Sequence, residues 1–249
     1  MAIKFFSLVV PVFKQEKTIV RNLKSLNKVL SQSLTAYEII VVVDGFEDET
    51  FKKVKKIVNK KIKVFGYQKN QGKGYAVKYG VLRAKGDVIG FIDSGMDIDP
   101  NGISMLLNHM VWYNADIIVG SKLHPVSQVN YPFLRKLFSW IYRLFTHAIF
   151  GFKVKDTQVG IKIFKRKVAR EVFKKLLVKH FAFDIELLAV AYALGYKRIY
   201  EAPIKLSFNN DSSIPSLKSF KFWKIILRIL KDTFGIYYRI KISKYYIKQ

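Results

Sequence analysis

The strongest constraint on the fold is an alternation of short Val- and Ile-rich runs with longer amphipathic stretches over the first 120 residues. The runs predict five β-strands: Phe6–Phe13, Tyr37–Val43, Ile62–Tyr67, Asp87–Ile92 and Asp116–Ser121. The spacing of apolar residues between them predicts helices over Glu16–Ser33, Glu47–Lys60, Gly72–Ala84 and Pro100–Tyr113. Because strands that alternate with such helices need crossover connections, we predict an α/β, Rossmann-like fold with a mostly parallel sheet and helices on both faces.

The second half of the chain continues with fewer strands. We predict strands over Gly160–Lys165 and Arg198–Ser207, and helices over Arg166–Val178 and Phe183–Leu194. No internal repeat and no low-complexity linker separates these elements from the first half.

Two aromatic-rich segments, Tyr131–Phe152 and Leu217–Gly235, have the spacing of amphipathic helices. Their polar stripes comprise Lys136, Ser139, Arg143 and His147 in the first segment and Lys218, Lys221, Lys224, Arg228 and Lys231 in the second. Basic amphipathic helices with aromatic residues are typical of membrane interfaces. Packing on the domain or against a second copy is the alternative, but two such segments in a cationic chain favour the membrane.

The charge of the chain is strongly one-sided. Lys and Arg number 44 and Asp and Glu 18, a formal net charge of +26, which favours nucleic acid, an anionic membrane surface or phosphorylated substrates as partners. The chain has no cysteine, which excludes disulfides, thiolate zinc sites, iron–sulfur clusters and a cysteine nucleophile. The apolar run before Pro11 is short, and no uncharged run elsewhere reaches the length of a bilayer span, so we predict neither a signal peptide nor a transmembrane helix.

Acidic residues follow the predicted strands at the edge where open α/β sheets bind their ligands. Glu16 comes after the first strand, Asp44 follows the second, and Asp93, Asp97 and Asp99 follow the fourth. Closely spaced carboxylates are costly unless they are solvated or bind a cation, and oxygen ligands suit Mg²⁺ or Mn²⁺. We therefore predict a metal at Asp93, whereas Asp99 is predicted to cap the next helix.

The loop Asn70–Gly74 (NQGKG) opens a predicted helix. Its two glycines allow a ligand to approach the backbone closely, and Lys73 at the helix N-terminus suits a phosphate or a nucleotide edge. The spacing is not that of a Walker A loop, and no Gly-x-Gly-x-x-Gly follows the first strand. By itself the loop is more typical of an ordinary turn.

Six blocks along residues 5–207 resemble family 2 glycosyltransferases of the GT-A fold. In chain order they are SLVVPVFKQEKTI, VVVDGFEDET, NQGKGYAVKYGVLRAKGDVIGFIDSG, DIIVGSKLHP, KDTQVGIKIFKR and FAFDIELLAVAYALGY. The DTQxGxKxF and FDxELL patterns are similar to polyprenyl- and dolichyl-phosphate sugar synthases, and to the dolichyl-phosphate β-glucosyltransferases more than to the mannosyl enzymes. The resemblance implies a catalytic domain over residues 1–210, including segment 131–152, and the amphipathic pattern predicts basic membrane-interface helices over 211–249.

The activity that this resemblance implies is an inverting transfer of a hexose, glucose before mannose, from a nucleotide sugar to a polyprenyl or dolichyl phosphate. The implied donor is UDP-glucose, with GDP-mannose next, and Mg²⁺ or Mn²⁺ bridges its diphosphate. The implied location is the cytoplasmic face of a membrane, where the chain binds peripherally. A homo-oligomer is compatible with the pattern, and no nucleic-acid partner is expected.

The same resemblance assigns roles to matching positions. The nucleotide-binding positions are Pro11, Phe13, Glu16, Asp44, Lys73 and Asp93. The catalytic positions, near the phosphates, the donor sugar and the acceptor, are Asp93, Lys122, Arg135, Asp156, Gln158 and Lys162. Acceptor contacts are assigned to Arg135, Asp184 and Glu186, and the amphipathic segments add Arg143 and Trp223 as acceptor or membrane contacts. Helix capping and ion pairing remain alternatives for the later residues.

Two blocks depart from the family pattern. The acidic pair of VDDGS is reduced to one acid in VDGF at residues 43–46, and the Asp-x-Asp metal motif is DSG at 93–95. Asp97 falls where relatives of the mannosyl type carry a metal-binding Gln, and it is the candidate second metal ligand. Without a substitute, weak metal binding or an inactive enzyme is expected.

Three other interpretations stay open. A family 2 enzyme that acts on a glycan or glycolipid would need a carboxylate base, which Asp156, Asp184 or Glu186 could supply. A nucleic-acid-binding protein would show steeply salt-dependent binding, but no recognised motif supports it. A catalytically inactive membrane scaffold would follow from the missing acid at Gly95.

Overall fold

The computed structural model describes residues 2–130, 133–207 and 220–248, with the side chains of 130–138, 220–222 and 248 outside this description. A seven-stranded sheet has the order β3-β2-β1-β4-β7-β5-β8, and a second sheet pairs β6 with β9. The strands are β1 (Phe6–Val12), β2 (Tyr37–Asp44), β3 (Ile62–Tyr67), β4 (Val88–Ile92), β5 (Ile117–Ser121), β6 (Gln128–Asn130), β7 (Ile161–Lys165), β8 (Ile199–Pro203) and β9 (Lys205–Ser207).

The helices cover both faces of the large sheet. They are α1 (Ile19–Ser33), α2 (Thr50–Lys55), α3 (Lys73–Val81), α4 (Gly102–Trp112), α5 (Phe133–Phe150), α6 (Arg166–Lys175), α7 (Phe183–Ala193), α8 (Phe220–Tyr237) and α9 (Tyr245–Lys248), with a π-helical turn at Tyr238–Ile242. One hydrophobic core lies between the sheet and α1, α2 and α4, and a second lies between the sheet and α3, α6 and α7. Successive strand residues alternate between the two cores, as Leu8 and Val9 do.

The predicted α/β fold with a mostly parallel sheet is confirmed. Strand β7 runs antiparallel to its two neighbours, β4 and β5. Every other pair of neighbouring strands in the large sheet is parallel. The five strands predicted in the first half agree with the structure to within one residue at each end. Helix α2 ends at Lys55 rather than Lys60, because the Asn59 side chain accepts hydrogen bonds from the N–H groups of Lys61 and Ile62 and forms a turn instead.

The predicted last strand, Arg198–Ser207, is two strands. Strand β8 ends at Pro203, and the N–H of Ile204 donates to the Ser127 hydroxyl at 3.0 Å instead of continuing the ladder. Strand β9 then pairs with β6, which the sequence did not predict.

The prediction that Asp99 is the N-cap of a helix starting at Pro100 is wrong by two residues. Helix α4 begins at Gly102, after the N-cap Asn101. The Asp99 carboxylate accepts a hydrogen bond from the Asn101 N–H at 2.9 Å, so it closes the turn before the helix.

The two amphipathic segments form α5 and α8, which pack against each other. The hydroxyl groups of Tyr142 and Thr233 lie 2.7 Å apart, and the rings of Phe145 and Phe234 are 5.7 Å apart. Among the described residues, no helix combines the length and the apolar character needed to cross a membrane. The predicted boundary at residue 210 lies outside the described residues, so this division into domains stays a prediction.

Candidate active site

Six of the predicted site residues meet at one edge of the large sheet. The carboxyl ends of β1, β2, β4 and β5 lie along this edge, and antiparallel β7 begins there. The six side chains form the ion pairs Lys73–Asp93, Lys162–Asp184 and Lys122–Asp156. This is the edge at which open α/β sheets bind their ligands.

Asp93, which follows β4, is paired with a lysine and still accessible. Its carboxylate oxygens lie 2.7 and 2.9 Å from the ammonium of Lys73, the first residue of α3, and its side chain is 44% exposed. Burial lowers the pKa of Lys73, but the carboxylates of Asp93 and Asp184 outweigh this effect, and the pKa is raised above its usual value. Asp93 can therefore bind a cation from solution while Lys73 remains protonated beside it.

Gly160, immediately before β7, makes room for the Asp93 side chain. The Asp93 N–H donates to the Gly160 carbonyl at 2.9 Å, and a Cβ on Gly160 would collide with the Asp93 carboxylate. A larger residue here would force the Asp93 carboxylate to move, because the carboxylate lies directly against the backbone of Gly160. The sequence analysis did not assign this residue a role.

The second pair is buried. Lys162 Nζ lies 2.5 Å from Asp184 Oδ1 and donates to the Val159 carbonyl at 2.8 Å. Burial lowers the pKa of Lys162 below its usual value, although the Asp184 carboxylate opposes the shift. A lysine with no exposed surface is tolerated here because its ammonium group has these oxygen partners.

The third pair joins β5 to the segment before β7. Lys122 contacts the Asp156 carboxylate through its backbone N–H at 2.9 Å and through its ammonium at 3.3 Å. The Asp156 N–H donates to the Glu201 carboxylate of β8 at 2.9 Å. The Gln158 N–H lies 3.4 Å from the Asp156 carboxylate. Glu201, which the sequence analysis missed, therefore helps to position Asp156.

The three pairs form one electrostatic unit. Asp184 raises the pKa of Lys73 as well as that of Lys162, while Lys73 lowers and Asp156 raises the pKa of Lys162. The groups are therefore close enough to influence one another's ionisation. A row of alternating ammonium and carboxylate groups can bind an anion and a cation together, as a metal-bound diphosphate requires.

Asp44, at the end of β2, holds the loop that precedes α3. Its nearly buried carboxylate accepts hydrogen bonds from the N–H groups of Gln71 at 2.7 Å and Gly72 at 3.0 Å, and from the Tyr67 hydroxyl at 2.9 Å. Burial raises the pKa of Tyr67, and the adjacent Asp44 carboxylate adds to the shift. Asp44 thus fixes the loop that leads to α3, and its contact with a nucleotide base stays a prediction.

The two glycines of this loop lie against another part of the chain, and the approach of a ligand to the backbone here stays a prediction. A Cβ on Gly72 would collide with His180 and the carbonyl of residue 179, and one on Gly74 would collide with Phe183. The glycines allow the loop to pack against the protein's own segment 178–183. Gly72 also has a φ of +100°, which favours glycine.

Three predicted nucleotide-binding residues belong to β1 and the loop after it. Pro11 is buried in β1, and Phe13 is exposed just beyond the strand. Glu16 accepts a hydrogen bond from the Glu49 N–H at 3.0 Å and donates its own N–H to the Asp48 carboxylate at 3.2 Å. Glu16 thus ties two loops of the edge together, and a nucleotide contact of these three residues stays a prediction.

The residues present at this edge fit a divalent metal that takes part of its coordination from a substrate. In the part of the chain that the structure describes, no three His, Asp or Glu side chains converge into a metal cage. Mg²⁺ and related ions bind readily through one or two carboxylates, with phosphate oxygens and water completing the coordination. The exposed Asp93 suits this type of site, and Asp97 remains the predicted second ligand.

The paired helices α5 and α8 border this site. The Tyr142 hydroxyl of α5 has a pKa raised to about 12 by burial, with the carboxylates of Asp184 and Asp232 among the further causes. His180, beside the loop before α3, has its pKa lowered by burial and by Arg228 of α8. Charged groups of the site and of the helix pair therefore influence one another's ionisation.

Four predicted acceptor or membrane residues lie on α5, α7 and α8. Arg143 is partly exposed on α5 and Trp223 is exposed on α8, whereas the side chain of Arg135 lies outside the described residues. Glu186 is fully buried on α7 and contacts Tyr246 rather than the lysine–aspartate row. Residues two positions apart on a helix point in nearly opposite directions, so helical geometry could have separated Glu186 from Asp184.

Comparison with known proteins gives a family match over most of the chain. Residues 7–173 match the family described as Glycosyl transferase family 2. A dolichyl-phosphate β-glucosyltransferase of Dictyostelium discoideum is 29% identical over 241 residues, which cover 90% of this chain and 73% of that protein. The Mus musculus protein of the same name is 30% identical over 267 residues, covering 99% and 79%. A dodecaprenyl-phosphate galacturonate synthase of Rhizobium johnstonii is 26% identical over 169 residues, covering 67% and 49%.

Solved structures share the fold at low sequence identity. A glucosyl-3-phosphoglycerate synthase from Mycobacterium tuberculosis, in complex with Mn²⁺, UDP and phosphoglyceric acid, superposes with a TM-score of 0.67 at 17% identity, covering 94% of this chain and 78% of that one. A mannosyl-3-phosphoglycerate synthase from Rubrobacter xylanophilus superposes with a TM-score of 0.68 at 14% identity, covering 96% and 74%. The predicted GT-A fold is confirmed. The chain is a glycosyltransferase and belongs to glycosyl transferase family 2.

Proposed function

We propose that this enzyme transfers glucose from UDP-glucose to a polyprenyl or dolichyl phosphate, with inversion at the sugar carbon. GDP-mannose is the next candidate donor. Relatives with this activity in their names align with about nine-tenths of the chain or more, which supports a lipid phosphate as the acceptor. The observation that carries the proposal is the exposed Asp93 in a row of alternating charges, next to two amphipathic helices.

The donor side of the site is formed by Asp93 and Lys73. Asp93, with Asp97 as a second candidate, would hold Mg²⁺ or Mn²⁺, and the bound metal would supply neutralisation of the negative charge on the leaving diphosphate. Lys73 stays protonated because its pKa is raised, so it supplies a fixed positive charge beside the same phosphates. Asp44 and the loop before α3 position Lys73 for this role.

The acceptor side needs cations rather than a general base. A lipid monophosphate is already an anion near neutral pH, so attack on the sugar carbon requires alignment more than proton removal. Asp156 and Asp184, which could serve as bases toward a glycan hydroxyl, are both paired with lysines. This pairing favours a phosphate acceptor over a sugar hydroxyl. Lys122, which follows β5 and pairs with Asp156, is a predicted phosphate contact.

The helix pair α5 and α8 supports a peripheral position on a membrane. Its exposed apolar side chains include Trp140, Ile141, Leu144, Trp223, Leu227 and Phe234. Exposed basic residues of α8 alternate with them at Lys224, Arg228 and Lys231. Large apolar side chains flanked by basic ones bind an anionic lipid surface, as on a cytoplasmic leaflet.

The activity is tested with purified protein, Mn²⁺ or Mg²⁺ and radiolabelled UDP-glucose or GDP-mannose. The acceptor is a short polyprenyl phosphate in detergent, and the matched control is the corresponding polyprenol, which lacks the phosphate. We expect label to enter the organic phase with UDP-glucose, the phosphate and the metal all present. Transfer to the polyprenol at the same rate would overturn the proposed acceptor.

Membrane binding is tested by flotation with phosphatidylcholine vesicles that contain or lack phosphatidylserine. We expect binding to the anionic vesicles that weakens as salt is raised, because exposed charges are screened. Leu227→Ser should weaken binding, while Val58→Ser, at an exposed apolar residue far from α8 in sequence, should not. Equal binding by the wild type and both variants would contradict the assignment of this surface.

A further inference from the structure

The C-terminal segment 238–247 has two opposite faces. It consists of the π-helical turn Tyr238–Ile242 and the start of α9. Its exposed residues are Tyr238, Lys241, Ile242, Lys244, Tyr245 and Ile247. Tyr246, between two exposed neighbours, is completely buried. One face of the segment is therefore apolar, basic and open to the surroundings, while the other is part of the core.

Tyr246 reaches a buried carboxylate on α7. Its hydroxyl donates to Glu186 Oε1 and accepts a hydrogen bond from Arg239 Nε at 2.7 Å. The Arg239 guanidinium lies 3.5 Å from the same carboxylate oxygen. Because a buried carboxylate is costly unless its oxygens are satisfied, the contact holds the C-terminal segment firmly on α7.

The other oxygen of Glu186 holds the loop between α6 and α7, residues 176–182. Oε2 accepts hydrogen bonds from the N–H groups of Leu177 at 3.0 Å and Val178 at 2.8 Å. These two N–H groups have no helical partner, since α6 has already ended. A single carboxylate thus connects the C-terminal segment to the α6–α7 loop.

The α6–α7 loop supports the loop before α3. The Lys179 ammonium donates to the Gln71 side chain at 3.0 Å, and the Lys179 carbonyl accepts a hydrogen bond from the Tyr75 N–H at 3.2 Å. The His180 ring fills the space beside Gly72, where any Cβ would collide with it. In the loop before α3, the N–H groups of Gln71 and Gly72 donate hydrogen bonds to the Asp44 carboxylate. The contacts therefore run without a break from Tyr246 to the nucleotide side of the candidate active site.

We propose that Tyr246 and Glu186 are positioning residues through which docking of the C-terminal segment on an anionic lipid surface orders the loop before α3. The inference rests on the proposed function, because that function assigns the membrane to the helix pair whose α8 leads directly into this segment, and the nucleotide sugar to the side of the site formed by the loop before α3. Lipid contact restricts the exposed face of the segment, and the Tyr246–Glu186 contact transmits this restriction to the α6–α7 loop. A nucleotide sugar then binds a loop that is already ordered, so its binding loses less conformational entropy.

Hydrogen exchange tests this coupling without any turnover. The reporters are the amide hydrogens of Leu177, Val178, Gln71 and Gly72, and the probe is phosphatidylcholine vesicles with or without phosphatidylserine. We expect the anionic vesicles to slow exchange at all four amides in the wild type, with no nucleotide present. Slower exchange confined to the C-terminal segment, with these four amides unchanged, would overturn the proposal.

A matched pair of variants tests the hydroxyl that carries the connection. Tyr246→Phe keeps the buried ring and removes the hydrogen bond to Glu186, whereas Tyr238→Phe makes the same change at an exposed position of the segment. We expect Tyr246→Phe to abolish the vesicle effect on Gln71 and Gly72, and Tyr238→Phe to leave it intact. A vesicle effect that survives in Tyr246→Phe would overturn the role of this contact.

Kinetics separate positioning from a general loss of folding. Tyr246→Phe should raise the KM for the nucleotide sugar by about tenfold, the size of one buried hydrogen bond, while kcat at saturating donor stays within about twofold. A merely structural role would lower the folded fraction, and hence apparent kcat, at an unchanged KM. That result would overturn the proposal, whereas a failure of the proposed acceptor would leave the exchange experiment intact.

Discussion

The two ends of strand β4 carry the same residue in contrasting surroundings. At the amino end, the Asp87 carboxylate accepts hydrogen bonds from the backbone N–H groups of Lys4 at 3.0 Å and Phe5 at 2.7 Å. At the carboxyl end, Asp93 is paired with the side-chain ammonium of Lys73 and keeps much of its surface open. Asp87 is committed to the fold, because its partners are fixed backbone groups, whereas the more accessible Asp93 stays the predicted metal ligand.

The same contrast extends along the two edges of the sheet. At the amino edge, the Glu38 carboxylate is buried among the Ser7 hydroxyl, the Lys63 ammonium and the Lys85 N–H, at 2.6 to 2.8 Å. At the carboxyl edge, the lysine–aspartate pairs influence one another and include the accessible Asp93. The presence of an ion pair thus says little about function by itself. Its accessibility and its neighbours distinguish an ion pair in a functional site from one that only stabilises the fold.

Loss of the buried lysine at the carboxyl edge should have the largest effect. Lys162→Met leaves Asp184 buried without its cation, which should lower the free energy of unfolding by about 3–5 kcal/mol and abolish transfer. Chemical unfolding and the transfer assay measure the two effects. The double variant Lys162→Met/Asp184→Leu should recover most of the stability but none of the activity. Recovery of activity in the double variant would show that this pair is only structural.

Crowding the Asp93 carboxylate should reduce activity with little loss of stability. Gly160→Ala places a Cβ against this carboxylate and should raise the Mn²⁺ concentration needed for half-maximal activity by about tenfold or more. The matched control is Gly102→Ala, where nothing lies within 4 Å of the added Cβ and the chain is helical. Titration of activity with Mn²⁺ checks both variants. An unchanged Mn²⁺ dependence in Gly160→Ala would contradict the assignment of the metal to Asp93.

At the amino edge, a substitution should affect stability rather than activity. Glu38→Gln should lower the free energy of unfolding by about 1–3 kcal/mol, because donors that now face a carboxylate would face an amide. The transfer rate per folded molecule should stay within about twofold of the wild type. Urea unfolding and the transfer assay on the same preparations test this expectation. A large loss of activity at full stability would remove the distinction between the two edges.

The two buried glutamates should depend on pH in opposite ways, and this is the smallest expected effect. Burial raises the pKa of Glu186, although Tyr246, the N–H groups of the α6–α7 loop and Arg239 oppose the shift. Its contribution to stability is therefore fully present below pH 4.5 and is lost as the pH rises through the raised pKa. Burial also raises the pKa of Glu38, but hydrogen bonds from Lys63, Ser7 and the Lys85 N–H outweigh it, and the pKa is lowered. Its contribution is present above pH 4.5 and is lost as the pH falls through the lowered pKa.

Urea unfolding of the wild type, Glu186→Gln and Glu38→Gln at a series of pH values measures this difference. The deficit of Glu38→Gln should shrink as the medium is acidified below pH 4.5. The wild type should lose stability relative to Glu186→Gln as the pH rises above 4.5. Parallel pH profiles for the two variants would contradict the contrast.

Much of the fold could be predicted because its signals are local. Strand β3 was predicted to the residue, since its apolar run lies between the polar turns at Asn59 and Lys69. The short strands β6 and β9 were not, because three-residue strands have no periodicity of their own and depend on each other. The end of α2 also depended on one side chain, Asn59, whose turn competes with the helix.

The site was predictable in its residues but not in its pairings. Strand ends and motif blocks indicated Lys73, Asp93 and Lys162, but the identity of each partner depends on how distant segments meet. Gly160 could not be assigned before its distance to Asp93 was known. The role of Tyr246 could not be predicted from the sequence. It lies between two other large apolar residues at the end of a basic region, and nothing in that pattern indicates that Tyr246 is buried while both neighbours are exposed.

The most direct test of the central claim compares Asp93→Asn with Asp87→Asn, one substitution at each end of β4. The measurement is kcat/KM for transfer from UDP-glucose to polyprenyl phosphate, with the melting temperature of each variant alongside. We predict that Asp93→Asn loses about 100-fold or more in kcat/KM at an unchanged melting temperature, because it removes the predicted metal ligand. Asp87→Asn should keep kcat/KM within about twofold and melt at a lower temperature, because its fixed backbone donors lose an acceptor. Full activity of Asp93→Asn, or an equal loss in both variants, would contradict the assignment of the chemistry to the carboxyl edge.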